Sequence, residues 1–409
     1  MMKTLLSNWH RKGFHYLIFG CLVLLGAYFI DPETISSLRF SPLGTLKLNS
    51  RYMFFILGCF VTVAGFWGTV TKERNQRLHK LLTLLNVMGI IFLVLIWAGM
   101  GRRIDVVGLA AQSLRLATPI SLGALAGILC ERSGVVNIGI EGMMLAAACV
   151  GFTIALYAQS IWVGFLAAVA GGALMATLHA VLCIRMMADQ IVSGTVINIL
   201  AVGVTGFMRR AFLLNNPLEP PGILPTWRIP GLSEFPVLGK ILFAHQPMVY
   251  CMLILVGLVH IVIFHTRWGL RTRTVGEHPK AADTLGISVY KIRYINVILG
   301  GMIAGLGGAW FSLEMVGSFE EIMTGGKGFI ALAAMIFGKW NPFGALCGAM
   351  LFGFADALQI KLQIMGVHLP YQILGMLPYV LTLVVLAGFV GRTVAPAADG
   401  VPYERDSTN

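Results

Sequence analysis

The sequence predicts an all-α, polytopic membrane protein with both termini in the cytoplasm. Three observations carry that reading. Hydrophobic residues make up 57% of the 409-residue chain and charged residues only 12%, with a mean hydropathy of +0.81. Soluble domains carry roughly 25% charged residues, so this much apolar surface needs lipid as its solvent. The apolar runs are continuous over about 17–25 residues, as spanning helices require, and lack the alternation of barrel strands. Backbone in hydrocarbon must satisfy its own hydrogen bonds, which leaves only those two solutions. Finally, Lys and Arg collect in a few connecting segments, the pattern of cytoplasmic loops.

In chain order the apolar segments fall near 15–30, 52–70, 81–100, 106–130, 135–157, 160–184, 190–212, 248–265, 294–316, 328–338, 342–360 and 371–390. The first is long for a signal-peptide core and is followed by no small-residue cleavage site, so it reads as a signal anchor. Segment 328–338 is too short to cross ~30 Å of hydrocarbon as a straight helix. It reads as a broken or re-entrant helix closed by "GKWNP".

Orientation follows from the basic residues. Lys3, Arg11 and Lys12 lie at the N-terminus, and Lys72, Arg74, Arg77 and Lys80 lie in "TKERNQRLHK". Arg267, Arg271, Arg273, Lys280, Lys291 and Arg293 lie in "RWGLRTRTVGEHPKAADTLGISVYKIR". Placing all three in the cytoplasm is consistent with the segments between them and gives N-in, C-in. Residues 1–80, with two helices, read as an N-terminal extension. Residues 81–392 form the core, with a basic connecting segment at 266–293, and 393–409 form a cytoplasmic tail. The Pro-rich external segment 213–247 reads as a docking site or a plain connector, and 317–328 is a second external loop bearing Glu320 and Glu321.

Several chemistries are not encoded. The seven cysteines form no CxxC pair and read as free, buried residues. The histidines show no metal spacing, and no P-loop, nucleophile elbow or paired catalytic carboxylates occur. We expect no catalytic residue and no metal site. The net charge of +12 belongs to cytoplasmic loops and not to nucleic-acid binding, because no stacking aromatics are interleaved with the basic residues.

The remaining motifs are polar or small residues in apolar surroundings. Gly301-xxx-Gly305, Ala304-xxx-Gly308 and Gly344-xxx-Gly348 suit close helix packing. In "ERSGVVNIGIEGMMLAAA", Gly134, Gly139 and Gly142 interrupt a segment holding Asn137 and Glu141. An intramembrane carboxylate normally faces a bundle interior or wet cavity. Glu141 therefore either walls a translocation path or pairs with a neighbour such as Arg115, unless it sits near the cytoplasmic surface. In "MADQIVSGTVINIL", Ser193, Thr195 and Asn198 are spaced to lie on or near one helix face. They either line a path or bond neighbouring helices. In the basic segment, Pro279 can start a helix and Gly286 can stop it. A helix of about two turns needs a partner surface, and "HPKAADTLG" has too little apolar face for lipid.

"GLRTRTVGEHPKAADTLGISVYKIRYINVILGGMIAGLGGA" resembles the coupling segment and following helix of ABC importer permeases for ribose, simple sugars, nucleosides and branched-chain amino acids. "ERSGVVNIGIEGMMLAAA", "DQIVSGTVINILAVGVTGF" and "GFIALAAMIFGKWNPFGALCGAMLFGFADALQ" resemble the nucleoside branch. The resemblance covers about residues 106–390. It implies a core of about ten helices with two extra N-terminal ones, in the bacterial inner membrane. The chain would move a nucleoside or simple sugar inward by alternating access. ATP and Mg would act on a separate ATPase subunit, into whose groove the helix marked by Glu277, His278, Pro279, Ala281, Ala282, Asp283 and Gly286 would fit. Asn137, Glu141, Ser193, Thr195 and Asn198 would line or shape the path. A second homologous permease and an extracytoplasmic solute-binding lipoprotein complete the expected partners. Alternatives are another solute, or an ion-coupled transporter using Glu141 and Asp356. Trp310, Phe311 and Trp340 could stack on a base, although aromatic residues near an interface usually act as anchors.

Overall fold

The structure is a computed structural model that describes residues 2–70, 76–366, 371–376, 379 and 393–404. The chain begins with α1 (Met2–Tyr28), a hairpin of β1 (Ile35–Phe40) and β2 (Gly44–Asn49), α2 (Ser50–Val70), α3 (Gln76–Ala98) and β3 (Arg103–Asp105). Four long helices follow: α4 (Val106–Glu131), α5 (Ile140–Ala158), α6 (Ile161–Ala180) and α7 (Gln190–Met208). The next segment holds β4 (Trp227–Arg228), α8 (Leu238–Leu242) and β5 (Ala244–His245). Then come α9 (Pro247–His265), α10 (Arg267–Glu277), α11 (Pro279–Thr284), α12 (Val289–Ala309), α13 (Lys327–Phe337), α14 (Pro342–Ile364) and α15 (Tyr371–Gly375). Three helices run on into π-turns, α6 at Val181–Arg185, α7 at Arg209–Leu213 and α12 at Trp310–Val316.

The protein is a polytopic helical membrane protein. Among the described residues, eight helices are long and apolar enough to cross a membrane, with shorter apolar helices at Tyr16–Tyr28, Met88–Ala98 and Lys327–Phe337. Most of the expected segment 371–390 lies outside the described residues. An all-α fold is not the whole architecture. One small sheet has the order β2-β1-β3, antiparallel then parallel, and a second pairs β4 with β5. The first lies in a stretch too polar to cross. There Ser36 and Leu38 alternate inward from β1, and Ser36 Oγ donates to the Ile96 carbonyl at 2.7 Å.

Contacts divide the chain into two units. The first comprises 1–111, 230–243 and 355–391. In it α1 and α2 meet backbone to backbone, where Gly20 faces Thr62 and Gly65 faces Leu17. The Asp105 carboxylate caps the start of α4, accepting from the Gly108 N–H at 3.0 Å, and Lys240 Nζ lies 3.3 Å from it.

The second unit comprises 112–229, 244–354 and 392–409. Its core is the contact of α5, α6 and α12. A Cβ at Gly172 would lie 2.7 Å from the Gly305 Cα, and one at Gly308 would strike the Met144 carbonyl. The small-residue spacing thus works as expected. Without side-chain bulk, the backbones come within van der Waals reach, which is what holds helices together in lipid. Gly348 of α14 approaches Ala334 of α13 in the same way.

Candidate functional site

Segment 266–293 folds as two short helices. Thr266 caps α10, its Oγ1 accepting from the Gly269 N–H at 3.1 Å. His278, at φ −142°, breaks the chain after Glu277. Pro279 opens α11, which is only six residues long. Gly286 lies in the left-handed region at φ +77° and donates to the Asp283 carbonyl at 2.9 Å. The start and stop read from the sequence are therefore where α11 lies, while α10 had no counterpart in that reading. Glu277, His278, Ala281 and Gly286 are exposed, Pro279 and Asp283 are half-buried, and Ala282 is buried. Ala282 joins Val275, Val289, Ile292 and Tyr403 in one apolar cluster, with Trp268, Ile287 and Tyr290 packed around it.

The stretch between α4 and α5 is non-helical, and its backbone groups are satisfied by side chains of other helices. Gln190 Oε1 accepts from the Val136 N–H at 2.7 Å. His179 shares hydrogen bonds with the Val136 carbonyl at 3.1 Å and with Ser193 Oγ at 2.9 Å. Asn198 Oδ1 accepts from the Gly142 N–H at 2.8 Å and its Nδ2 donates to the Ile138 carbonyl at 3.1 Å. Irregular backbone at membrane depth is tolerated only with such partners. Asn137 is buried, with Nδ2 3.4 Å from Cys130 Sγ and with no partner for its carbonyl oxygen among the described residues. Thr195 does not share the face of Ser193. It is exposed, with Oγ1 donating to the Ile191 carbonyl at 2.9 Å, because two residues along a helix turn the side chain about 200°.

Glu141 is 8% exposed and turns to the start of α13. Its Oε1 accepts from Thr324 Oγ1 at 2.6 Å and the Gly326 N–H at 2.8 Å, and its Oε2 from the Gly328 N–H at 2.6 Å. A carboxylate there meets the first-turn N–H groups and the positive end of the helix dipole. Its partner is thus α13 and not Arg115, whose Nη2 reaches the Glu314 carbonyl at 3.5 Å. The other end of α13 is also held. Trp340 Nε1 donates to Glu131 at 2.6 Å, and Arg132 donates to the Lys339 and Trp340 carbonyls.

The sequence reading missed His179 and Glu314. Glu314 is fully buried in the π-turn after α12. Its Oε2 accepts from the Met248 N–H at 2.9 Å, and its carbonyl accepts from Gln246 Nε2 at 3.0 Å. The rule that singled out Glu141, a carboxylate in an apolar span, applies equally to Glu314. Trp310, Phe311 and Trp340 are all buried, so none is an interface anchor. Trp310 and Phe311 meet edge-on, ring centroids 5.0 Å apart.

The family described as branched-chain amino acid transport system / permease component matches residues 109–386. The chain is 44% identical to the guanosine ABC transporter permease protein NupQ of Bacillus subtilis, covering 71% of this chain and 94% of that one. It is 41% identical to the nucleoside ABC transporter permease protein NupC of Lactococcus lactis, covering 72% and 96%. It is 35% identical to the putative glucose ABC transporter permease protein TsgC13 of Haloferax volcanii, covering 70% and 92%. No solved structure matches. A match across most of the helical core, with relatives covered almost end to end, makes this chain a member of the branched-chain amino acid transport system / permease component family.

Proposed function

We propose that this protein is the permease subunit of an ABC importer that carries a nucleoside into the bacterial cytoplasm across the inner membrane. The observation that carries the proposal is α11. This six-residue helix is exposed along Lys280, Ala281 and Thr284, follows the exposed Glu277 and His278, and is seated on a buried apolar cluster. Such a short helix is stable only against a surface, and its exposed side would enter a groove on an ATPase subunit. That subunit would bind ATP and Mg. Closure of the ATPase pair would move α11, and α10 and α12 would pass the motion into the bundle by alternating access. A second homologous permease would complete the path, and a solute-binding lipoprotein would deliver the solute.

Asn137, Ser193 and Asn198 lie at or against the non-helical stretch, and we assign that stretch to the path. Glu141 shapes the path by holding α13. Thr195 lies on the outer face of α7, where lipid or the second permease would meet it. The glucose permease among the relatives favours a simple sugar as the second reading.

Lipid vesicles containing the permease pair, ATPase and binding protein test the proposal. We expect ATP-dependent guanosine uptake that stops when any one subunit is omitted. Uptake of glucose but not guanosine supports the second reading. Uptake that survives without the ATPase and collapses with a protonophore overturns both.

A further inference from the structure

Terminal residues of a chain are usually loose unless something ties them down. Here Ala397, Ala398, Asp399, Val401 and Tyr403 meet segment 266–293 or the end of α4. The Ala397 N–H donates to Glu277 Oε2 at 3.2 Å, and the Ala398 N–H to the Gly276 carbonyl at 2.9 Å. Arg293 Nη1 donates to the Val401 carbonyl at 3.0 Å, and the Tyr290 hydroxyl to the Tyr403 carbonyl at 3.1 Å. The Tyr403 ring is buried with Val275, Ala282, Val289 and Ile292, so it closes the underside of both α10 and α11.

The same strap reaches the helix bundle. A Cβ at Gly134 would lie 2.9 Å from Arg293 Nη2 and 3.1 Å from the Ala398 carbonyl, so the turn after α4 is wedged between α12 and the strap. The Asp399 carboxyl lies near Glu131, the last residue of α4, and near the buried Arg293 guanidinium. Burial pushes the Asp399 carboxyl above its ordinary range, against the pull of Glu131, Arg293 and the Gly400 N–H. Glu131 in turn holds Trp340 at the end of α13.

We propose that residues 396–403 are a positioning element of the ATPase-coupling machinery, a strap that ties α10, α11 and α12 to the end of α4 so that displacement of α11 drives the bundle. This rests on the reading of 266–293 as the coupling segment. A rigid helix transmits force only if its support moves with it. The strap supplies that support through Tyr403, packed against Ala282 of α11, and through Asp399, set near Glu131 at the end of α4 and Arg293 of α12.

The test uses the full transporter in lipid vesicles, with ATP hydrolysis and guanosine uptake measured in the same sample. The variants are Tyr403→Ala, Tyr403→Phe, and a chain ending after Pro396. In Tyr403→Ala and the truncated chain we expect the ATPase subunit to co-purify as before, with uptake per ATP hydrolysed lowered about five-fold or more. Tyr403→Phe keeps the ring against α11 and the backbone carbonyl that accepts from Tyr290, so its ratio should lie well above that of Tyr403→Ala. If the truncated chain fails to assemble, Tyr403→Ala decides. A wild-type ratio in Tyr403→Ala overturns the proposal. So does loss of co-purification in Tyr403→Ala, which would make the strap a docking element and not a transmitter. Uptake by the wild-type assembly that needs no ATPase overturns the parent reading instead.

Discussion

The Gly328 N–H donates to the Glu141 carboxylate at 2.6 Å, joining residues 187 positions apart in sequence. With Thr324 and Gly326 as its other donors, Glu141 caps α13 across two separate apolar segments. The carboxylate is therefore satisfied where it stands, and its removal strands three donors at once, two of them buried.

Glu141→Ala is expected to destabilise the protein by about 3 kcal/mol, the cost of leaving buried polar groups without a charged partner. Glu141→Gln retains one acceptor oxygen and should fall between. Thermal unfolding of the purified protein in detergent checks this, and an Ala variant with an unchanged Tm would show that α13 does not depend on the cap.

Gly301→Val should cost about 1–3 kcal/mol through overpacking, because a Cβ there strikes Ala176 and the Gly172 carbonyl. Gly203→Val is the matched control, since nothing lies within 4 Å of its added Cβ. The monodisperse fraction on size exclusion should drop for the first and not for the second.

At Gly286, proline is excluded twice. Its φ is held near −65° where the backbone sits at +77°, and it removes the N–H that bonds the Asp283 carbonyl. Gly286→Pro and Asp283→Arg should abolish uptake and leave ATP hydrolysis unresponsive to solute, with membrane expression largely retained. Whole-cell uptake at the wild-type rate in both variants would remove α11 from the mechanism.

Asp105→Ala should cost about 1 kcal/mol through loss of the α4 cap. Partial burial alone would raise the Asp105 pKa, but the Gly108 N–H and Lys240 outweigh it and hold the carboxyl below its ordinary 3.8. A lowered folded-state pKa means that this contribution is present above 3.8 and is lost as pH falls through the folded value. The difference in Tm between wild type and Asp105→Ala should therefore shrink in acid. A difference that is constant down to pH 3 would contradict the assignment.

Much of α11 was legible beforehand because its boundaries are local. A proline sets the φ of a first turn, and a glycine takes the left-handed turn after the last, whatever surrounds them. The glycine spacing of α12 was legible for the same reason, since residues four apart share a helix face. The hairpin at Ile35–Asn49 was missed because its short alternating run is weak beside the flanking apolar helices. Thr195 was placed with Ser193 on spacing alone, and the turn of α7 separates them.

The sequence by itself determined the membrane class, the segments that read as crossing it and the limits of the short helix, because hydropathy, proline and glycine act through their own neighbours. Only the tertiary structure decided what the polar residues do. Glu141 meets α13, His179 meets Ser193 and Val136, and Tyr403 lies beneath α11. Each partner is remote in sequence or on another helix, and a buried polar group takes whichever partner the packing brings within about 3 Å. Local pattern does not encode that choice. The tail shows the difference most plainly, since in sequence it is a polar end following the last apolar run, and in the fold it is bound into the segment that α11 belongs to.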